Sequence, residues 1–294
     1  MGKWGPDGKQ AAVSITFDNL GEASDIEFGR WPTHVPVGRH HSVVRDLPAV
    51  LEAIAGTRAT FFVEAWNLHV YPDAIKSIVD AGHEIGSHGM RHEIWCNLTP
   101  DQEYDHLRRC VDDYARFGIE IKGLRPPGGI AASSSKTVLP DLGLNHISLV
   151  GVQTGVTDNG LAVLESVNAA ADVSYYAPAF AKYRNHEPGD HVVTPDVYVE
   201  GMLREIEHVV SDGGYISTLS HPFYLSPTPE ATDPARAAAL KEVVRQVTAD
   251  PRIWVATTNE ISTWMIEHRA DFSETETLDP PTDWNPSFYK DIRR

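Results

Sequence analysis

The chain contains few of the residues that cross-link a small fold. Cys96 and Cys110 are its only cysteines, too few for a disulfide framework, and their spacing matches no metal-binding motif. We expect both thiols to be reduced and buried. The opening stretch MGKWGPDGKQ lacks the apolar core of a signal peptide, and no later run is long enough to span a membrane. These absences predict a cytoplasmic protein without membrane contact.

Positive charge is scarce as well. The 294 residues include 25 Lys and Arg against 41 Asp and Glu, which gives a formal net charge of −16 at pH 7. Because the acidic residues are scattered along the chain, most of the surface would repel a phosphate backbone or an anionic membrane. We therefore expect no nucleic-acid partner, and we expect a partner that is neutral or small.

The chain shows no linker, fixed-period repeat or low-complexity tract. Its length suits one large core, so we predict a single domain over residues 1–270. The segment 271–294 is polar and interrupted by proline, yet it carries Trp284, Phe288 and Tyr289. These aromatic side chains favour a tail that packs on the body or on a neighbouring subunit, and a disordered tail is the alternative.

Short apolar or β-branched runs alternate with segments of helical period, which is typical of βα units around a parallel sheet. We count seven or eight strands. A weaker candidate strand covers residues 171–176, because its Ala- and Asn-containing surroundings are also compatible with a loop. The clearest strands are residues 12–18, 59–65, 83–87, 119–124, 146–150, 215–220 and 253–258.

Three helices are indicated by the residues at their ends. The segment TPDQ that starts at Thr99 combines a capping box with proline at the first helical position, and Gly118 is expected to end this helix. Thr194, followed by proline, begins a second helix in the same way. A third helix is predicted over residues 235–249, after a proline-rich stretch. Helices alternating with strands indicate an α/β fold.

Polar side chains stand where the predicted strands end. In a sheet or barrel of parallel strands, the carboxyl ends meet at one edge, and functional groups gather there. A base, metal ligands, an orienting cation and an acid are what hydrolysis of an unreactive amide requires. The residues of these types at the strand ends are Asp18, His88, His92, Arg125 and His221.

Each of these signals is weak when taken alone. His88 and His92 stand four residues apart, so in a helical segment both imidazoles would face one divalent ion, but a chain with 14 histidines also reaches this spacing by chance. In GLRPPGG the prolines and glycines form a rigid turn that fixes Arg125, and such an arginine is also common in surface loops. His221 in TLSHPF is equally compatible with a structural histidine.

Taken in order, these motifs resemble those of the polysaccharide deacetylases of carbohydrate esterase family four. TFDN is similar to the first motif of that family, SHGMRH to the second, RPPGG to the third and LSHP to the last. The resemblance is tight over about residues 11–130 and returns at 215–222. It implies a distorted (β/α) barrel of seven or eight strands and metal-assisted deacetylation of an N-acetylated saccharide or a small acetamide.

The resemblance also implies a role for individual residues. Asp18 would be the general base that takes a proton from the attacking water. Arg125 would pair with Asp18 and fix its orientation, and His221 would protonate the leaving amine. The family has a tryptophan-bearing motif as well, for which ADVSYYAPAF offers only Asp172 and Tyr175 as stand-ins.

The sequence departs from the family pattern at the metal site. There, His88 and His92 would hold a divalent ion, which we expect to be zinc, but Asn19 stands where the family has a third, acidic ligand. An amide oxygen still ligates, yet without a charge it would hold the ion more weakly than a carboxylate. Glu22 and Asp25 are the candidates to supply the missing charge.

Three functions remain open from the sequence. The first is metal-dependent deacetylation. The second follows a divergent branch of the superfamily, similar to cyclic-imide hydrolases and metal-independent allantoinases, which opens small ring amides with little or no metal and assembles as oligomers. The third is an inactive barrel that only binds a sugar. We expect a homo-oligomeric enzyme that hydrolyses C–N bonds other than peptide bonds, with a small-molecule or oligosaccharide substrate.

The segment after the first strand supports the second of these functions. Residues 21–41 form a long insert there, and this insert fits a lid over a small pocket. The absence of a signal peptide also favours it, because deacetylases of cell-wall polymers usually meet their substrate outside the membrane. The insert side chains available to such a pocket are Trp31, Arg39, His40 and His41.

Overall fold

The computed structural model of the protein describes residues 2–185 and 189–279. The strands of this part are mostly buried on both faces, as expected for a parallel sheet covered by helices, and β1 is buried at every position. In chain order they are β1 (Ala11–Asp18), β2 (Thr60–Val63), β3 (Glu84–Ser87), β4 (Gly123–Leu124), β5 (His146–Val150), β6 (Gly155–Val156), β7 (Ala162–Ala171), β8 (Tyr215–Ser220) and β9 (Ile253–Val255).

Seven parallel strands close into a barrel. Their order is β1, β2, β3, β4, β5, β7 and β8, and β8 pairs again with β1. The other edge of β1 is shared between two neighbours, since residues 16–18 pair with β2 and residues 11–13 pair with β9. β6 adds an antiparallel strand to β7 outside the ring. The predicted distorted (β/α) barrel is confirmed. Seven strands form the closed ring, and β9, which pairs with β1, is an eighth parallel strand beside it.

Helices surround the barrel, and the three helices predicted from the sequence are α5, α8 and α9. In α5 the capping box is complete, because Thr99 and Gln102 each bond the other's backbone N–H. In the described part of the chain, no helix is both long and apolar enough to cross a membrane. The helices are α1 (Ala23–Glu27), α2 (Leu47–Ala53), α3 (Asn67–Val70), α4 (Pro72–Asp80), α5 (Pro100–Arg116), α6 (Ser135–Asp141), α7 (Val173–Tyr176), α8 (Pro195–Asp212), α9 (Pro234–Ala249) and α10 (Thr258–Glu267).

Several strand predictions are wrong in part, and that for residues 59–65 is wrong only at its ends, because β2 covers Thr60–Val63. Residues 119–122 are not in a strand, because the Ile119 N–H still bonds to the last turn of α5, and β4 covers only the next two residues. Residues 256–258 leave the last strand because Thr257 caps α10. Residues 173–176 form α7, and the strand of this region is β7, just before them. The Ala, Glu and Asn residues of β7 have low β propensity, so this strand was not predicted from the sequence.

The described part of the tail, residues 271–279, lies against the barrel. The Val156 N–H in β6 donates to the Ser273 carbonyl oxygen at 3.0 Å, which attaches this segment to the sheet. The tail prediction also depends on aromatic residues that lie outside the described residues, namely Trp284, Phe288 and Tyr289.

Candidate active site

A cavity of about 200 Å³ opens at the carboxyl-terminal end of the barrel strands. Parallel strands bring their carboxyl ends to one edge, so polar residues that are distant in sequence meet there. The structure brings together all six residues that the sequence suggested for the site. They are Asp18, Asn19, His88, His92, Arg125 and His221.

Asp18 and Arg125 form a buried ion pair in this cavity. Asp18 ends β1 and Arg125 follows β4, and the Asp18 Oδ1 and Arg125 Nη1 atoms lie 2.8 Å apart. The guanidinium also donates to the hydroxyl groups of Thr16, Ser148 and Ser217. Because a planar guanidinium with this many acceptors has one orientation, it fixes the carboxylate of Asp18 as well.

His88 and His92 lie side by side, although the segment between them is a turn and not the helix considered above. His88 directly follows β3, and Gly89 and His92 then adopt φ values of 78° and 75°. The left-handed region favours glycine and is unusual for histidine. The two imidazole rings are 4.9 Å apart at their centroids. The tight turn therefore gives the shared direction that the spacing of the two histidines suggested.

Burial keeps both imidazoles in the neutral form that binds metals. Desolvation lowers the pKa of His88 to about 4 and the pKa of His92 to about 3. The Nδ1 atom of His88 lies 2.7 Å from the backbone oxygen of Arg125. Since Nδ1–H donates to this oxygen, Nε2 of His88 keeps a lone pair, which is the usual arrangement of a metal-binding histidine.

Glu64 lies beside this pair, although it is not among the site residues predicted from the sequence. Glu64 directly follows β2, and one of its oxygens and a ring nitrogen from each of His88 and His92 all lie within 4.8 Å of one another. These three residues are called the metal-type cluster below. Burial raises the pKa of Glu64 to about 7. In the sequence, Glu64 is a single acidic residue in an apolar run. It was therefore assigned to the interior of the predicted strand 59–65 and not to the end of that strand.

The donor atoms gathered here fit a divalent metal ion. Asn19 lies in the left-handed region at φ 60°, and its buried Oδ1 has no hydrogen-bond partner among the described residues. A buried amide oxygen is costly to leave unsatisfied. Glu64, His88 and His92 give oxygen and nitrogen donors that zinc and similar ions accept, and Asn19 lines the same cavity as the two histidines.

The two carboxylates considered from the sequence bond elsewhere. Glu22 is buried and accepts hydrogen bonds from the Tyr71 hydroxyl and the Gly38 N–H. Asp25 pairs with Arg30 at 3.1 Å between Oδ1 and Nε. Both carboxylates therefore support the insert after β1, and the carboxylate found in the metal-type cluster is that of Glu64.

His221 follows β8 and is held by Asp172, which follows β7. Asp172 Oδ1 lies 2.7 Å from Nδ1 of His221, and Oδ2 accepts the His221 backbone N–H at 2.5 Å. Burial disfavours the imidazolium, but the carboxylates of Asp172 and, to a smaller extent, Asp18 outweigh burial and raise the pKa of His221. With Nδ1 bound to Asp172, Nε2 is left for a substrate. Tyr175, the other stand-in, is buried in the core and donates to the Ala169 carbonyl oxygen.

The insert covers part of the cavity with residues other than those expected. Ser24, Phe28 and Arg30 line the cavity. A second cavity of about 750 Å³ adjoins it. The two cavities share the lining residues Asn19, Ser24, Arg30, Phe223 and Tyr224. The insert residues expected from the sequence line the second cavity or a neighbouring depression, and they are Trp31, Arg39, His40 and His41.

Comparison with known sequences gives one family. The family model described as polysaccharide deacetylase matches residues 5–147, a range that contains the cluster and the Asp18–Arg125 pair. The peptidoglycan deacetylase-like protein FGM2 of Gibberella zeae is 31% identical over 105 residues, which is 36% of this chain and 28% of that protein. The chain therefore covers well under two thirds of this relative's own length.

Comparison with solved structures extends the similarity to nearly the whole chain. A Mycobacterium smegmatis protein assigned to the polysaccharide deacetylases superposes with a TM-score of 0.77 and 26% identity, covering 94% of this chain and 96% of that one. Puue allantoinase superposes with a TM-score of 0.70 and 16% identity, covering 92% of this chain and 95% of that one. At this identity the likeness to the allantoinase concerns the fold alone.

Proposed function

We propose that the chain hydrolyses amide C–N bonds other than peptide bonds, most directly the acetamido group of a saccharide or a small acetamide. Its similarity to the polysaccharide deacetylases supports this proposal, since residues 5–147 match the family model and nearly the whole chain superposes on a Mycobacterium smegmatis protein assigned to that family. One observation carries this proposal: Asp18 and His221, each held by a different partner, line the same cavity as His88 and His92 of the metal-type cluster. Two ionisable groups in different environments are the arrangement that acid–base chemistry on one substrate requires.

Asp18 is the proposed general base. Its carboxylate is 4% exposed, and Arg125 holds it at 2.8 Å, so it has one orientation toward the cavity. In this role it accepts a proton from the water that attacks the acyl carbon. A positioned base of this kind contributes roughly 10²–10⁴-fold to the rate.

His221 is the proposed general acid. Its raised pKa, caused by the Asp172 carboxylate against the effect of burial, keeps its proton in place toward neutral pH. The proton on Nε2 passes to the amine nitrogen as the C–N bond breaks, so that the products are a carboxylic acid and a free amine.

His88, His92 and Asn19 are residues that would hold a divalent ion, and we propose zinc because imidazole nitrogen and oxygen ligands suit it. When bound, zinc supplies a Lewis acid for the attacking water and the acyl carbonyl. The chain's own contribution is to keep His88 and His92 neutral through burial and to orient His88 through the Arg125 carbonyl oxygen.

A second candidate function is ring opening of a small cyclic amide. The observation that favours it is the size of the inner cavity, about 200 Å³, together with its cover of Ser24, Phe28 and Arg30 from the insert. The adjoining cavity of about 750 Å³ favours the first candidate instead, since it gives room for sugar units next to an acetamido group. An inactive sugar-binding barrel would have no use for the paired and oriented Asp18 and His221.

Product analysis on three substrates tests this proposal. The protein, stripped of metal and then supplied with zinc, is incubated with triacetylchitotriose, allantoin and dihydrouracil. We expect acetate release from the sugar and no ring opening. Ring opening without acetate release would replace the first candidate with the second. Binding of the sugar without turnover of any of the three compounds would support the third function, an inactive sugar-binding barrel.

A further inference from the structure

We propose that Glu64 is the metal-binding carboxylate of this protein, taking at the end of β2 the role that Asn19 cannot fill after β1. This inference deepens the proposed function and rests on it for the presence of a metal ion. It concerns which strand supplies the negative ligand, and it is tested by metal binding itself.

The two oxygens of Glu64 have different partners. Oε2 accepts hydrogen bonds from Asn67 Nδ2 at 3.0 Å and from the Leu20 N–H at 3.4 Å. Oε1 lies 3.3 Å from Nδ1 of His92, on the side of the imidazole pair. Two ligand atoms bound to one zinc ion at about 2.0–2.1 Å lie roughly 3.4 Å apart in tetrahedral geometry. The protein thus fixes one oxygen and directs the other at the metal-type cluster.

The turns after β1 and β2 are tied together at this point. Leu20, the residue after Asn19, donates its N–H to Glu64, and its carbonyl oxygen accepts the other amide hydrogen of Asn67 at 2.9 Å. Asn67 and Glu64 are completely buried. The carboxylate of Glu64 and the backbone that directly follows Asn19 are therefore held next to each other.

The charges in the cavity also point to Glu64. Asn19, His88 and His92 are neutral ligands, so they cannot offset the charge of a buried divalent ion. The negative charge of Asp18 is already paired with Arg125. In the part of the chain that the structure describes, Glu64 contacts the neutral imidazole of His92, and no Lys or Arg forms an ion pair with its carboxylate. Glu64 is therefore the carboxylate that is available to the metal ion.

A second role for Glu64 gives a different result in a rescue experiment. If Glu64 only accepted a hydrogen bond from Nδ1 of His92, it would orient that ring, and its loss would also weaken metal binding. A carboxylate at position 19 would restore the ligand charge but not this orientation. Moving the charge from residue 64 to residue 19 therefore separates a ligand from an orienting residue.

Zinc titration by calorimetry into metal-stripped proteins tests the inference. The set comprises the parent, Glu64→Gln, the double variant Asn19→Asp with Glu64→Gln, and the matched control Glu200→Gln on the exposed face of α8. We expect one zinc per chain for the parent and the control. Glu64→Gln should bind zinc at least about tenfold more weakly, and the double variant should recover to within about threefold of the parent.

The cobalt spectrum of Glu64→Asp gives a second reading that does not depend on the folding of Glu64→Gln. This variant keeps the charge on a shorter side chain, so the visible bands of bound Co²⁺ should shift from those of the parent. Unchanged bands, or parent-like zinc affinity in Glu64→Gln, would show that Glu64 is not a ligand. A double variant as weak as Glu64→Gln would assign the orienting role.

Failure of this inference can be distinguished from failure of the proposed function. Acetate release is measured on the same preparations. A parent that releases acetate but takes up neither Zn²⁺ nor Co²⁺ would overturn the metal ligand and leave the hydrolase standing. A parent that binds zinc through Glu64 but releases no acetate would support Glu64 as a metal ligand and contradict the proposed deacetylation.

Discussion

Asp172 holds His221 at two points, with one carboxylate oxygen 2.7 Å from the ring Nδ1 and the other 2.5 Å from the backbone nitrogen. The residues meet because they follow β7 and β8, which are neighbours in the barrel. Two contacts to one residue fix both the ring and the chain that carries it. The proposed acid is therefore oriented by a single carboxylate, and this dependence can be measured.

Asp172→Asn should move the high-pH limb of kcat to lower pH. In the parent the carboxylate raises the pKa of His221 against the effect of burial, so the proton donor persists to higher pH. Without the carboxylate, burial dominates and the donor is lost at lower pH. Profiles of kcat against pH for both proteins check this. A high-pH limb at the same position in both would contradict the assignment of His221 as the acid.

Asp18→Asn should abolish turnover while the protein stays folded. Asn keeps an oxygen for Arg125, whose other donors still bond to Thr16, Ser148 and Ser217, so the buried guanidinium remains satisfied. The loss of a general base costs about 10²–10⁴-fold in rate. Rates and thermal melting are compared with Asp105→Asn, the same change on the exposed face of α5. Activity within a few-fold of the parent would remove Asp18 from the mechanism.

His221→Ala should lower kcat far more than it raises KM, because an acid that protonates the leaving amine acts mainly in the transition state. Steady-state kinetics of this variant are compared with those of His208→Ala, in which the lost imidazole is 78% exposed. If only KM rises, His221 binds substrate and does not transfer the proton. Normal kinetics with a lower melting temperature would make it a structural histidine.

Asn19→Asp should tighten zinc binding at least tenfold, or about 1.4 kcal/mol, because it adds a charged ligand to the centre. The variant should then keep zinc through a dialysis in which the parent loses it. Without a metal ion, the same change places a second carboxylate beside Asp18, and repulsion between the two would impair the base. Calorimetry and acetate release on both proteins distinguish these outcomes, and weaker turnover without zinc uptake would contradict the metal centre.

Much of the barrel could be predicted because its strands are apolar runs separated by helical segments. β5 and β8 have the predicted bounds, at residues 146–150 and 215–220. β7 could not be predicted in the same way, because its Ala, Asn and Glu residues have low β propensity and pairing with its neighbours in the sheet stabilises it as a strand. Tertiary pairing decided its structure.

Site residues could be predicted where an acidic, basic or metal-binding side chain coincides with the end of a predicted strand. Asp18 and His221 followed from this rule. Glu64 obeys the same rule but was missed, since nothing in ATFFVEA shows that the strand ends at Val63. The left-handed turn at His92 also could not be predicted from the sequence, because that conformation is unusual for a histidine and follows from the packing of the turn.

The most direct test of the account is the rate of acetate release from triacetylchitotriose as zinc is added stepwise to metal-stripped protein. The account predicts no release without zinc, a linear rise, and saturation at one zinc per chain. A rate that is already complete without metal and does not change as zinc is added would contradict it.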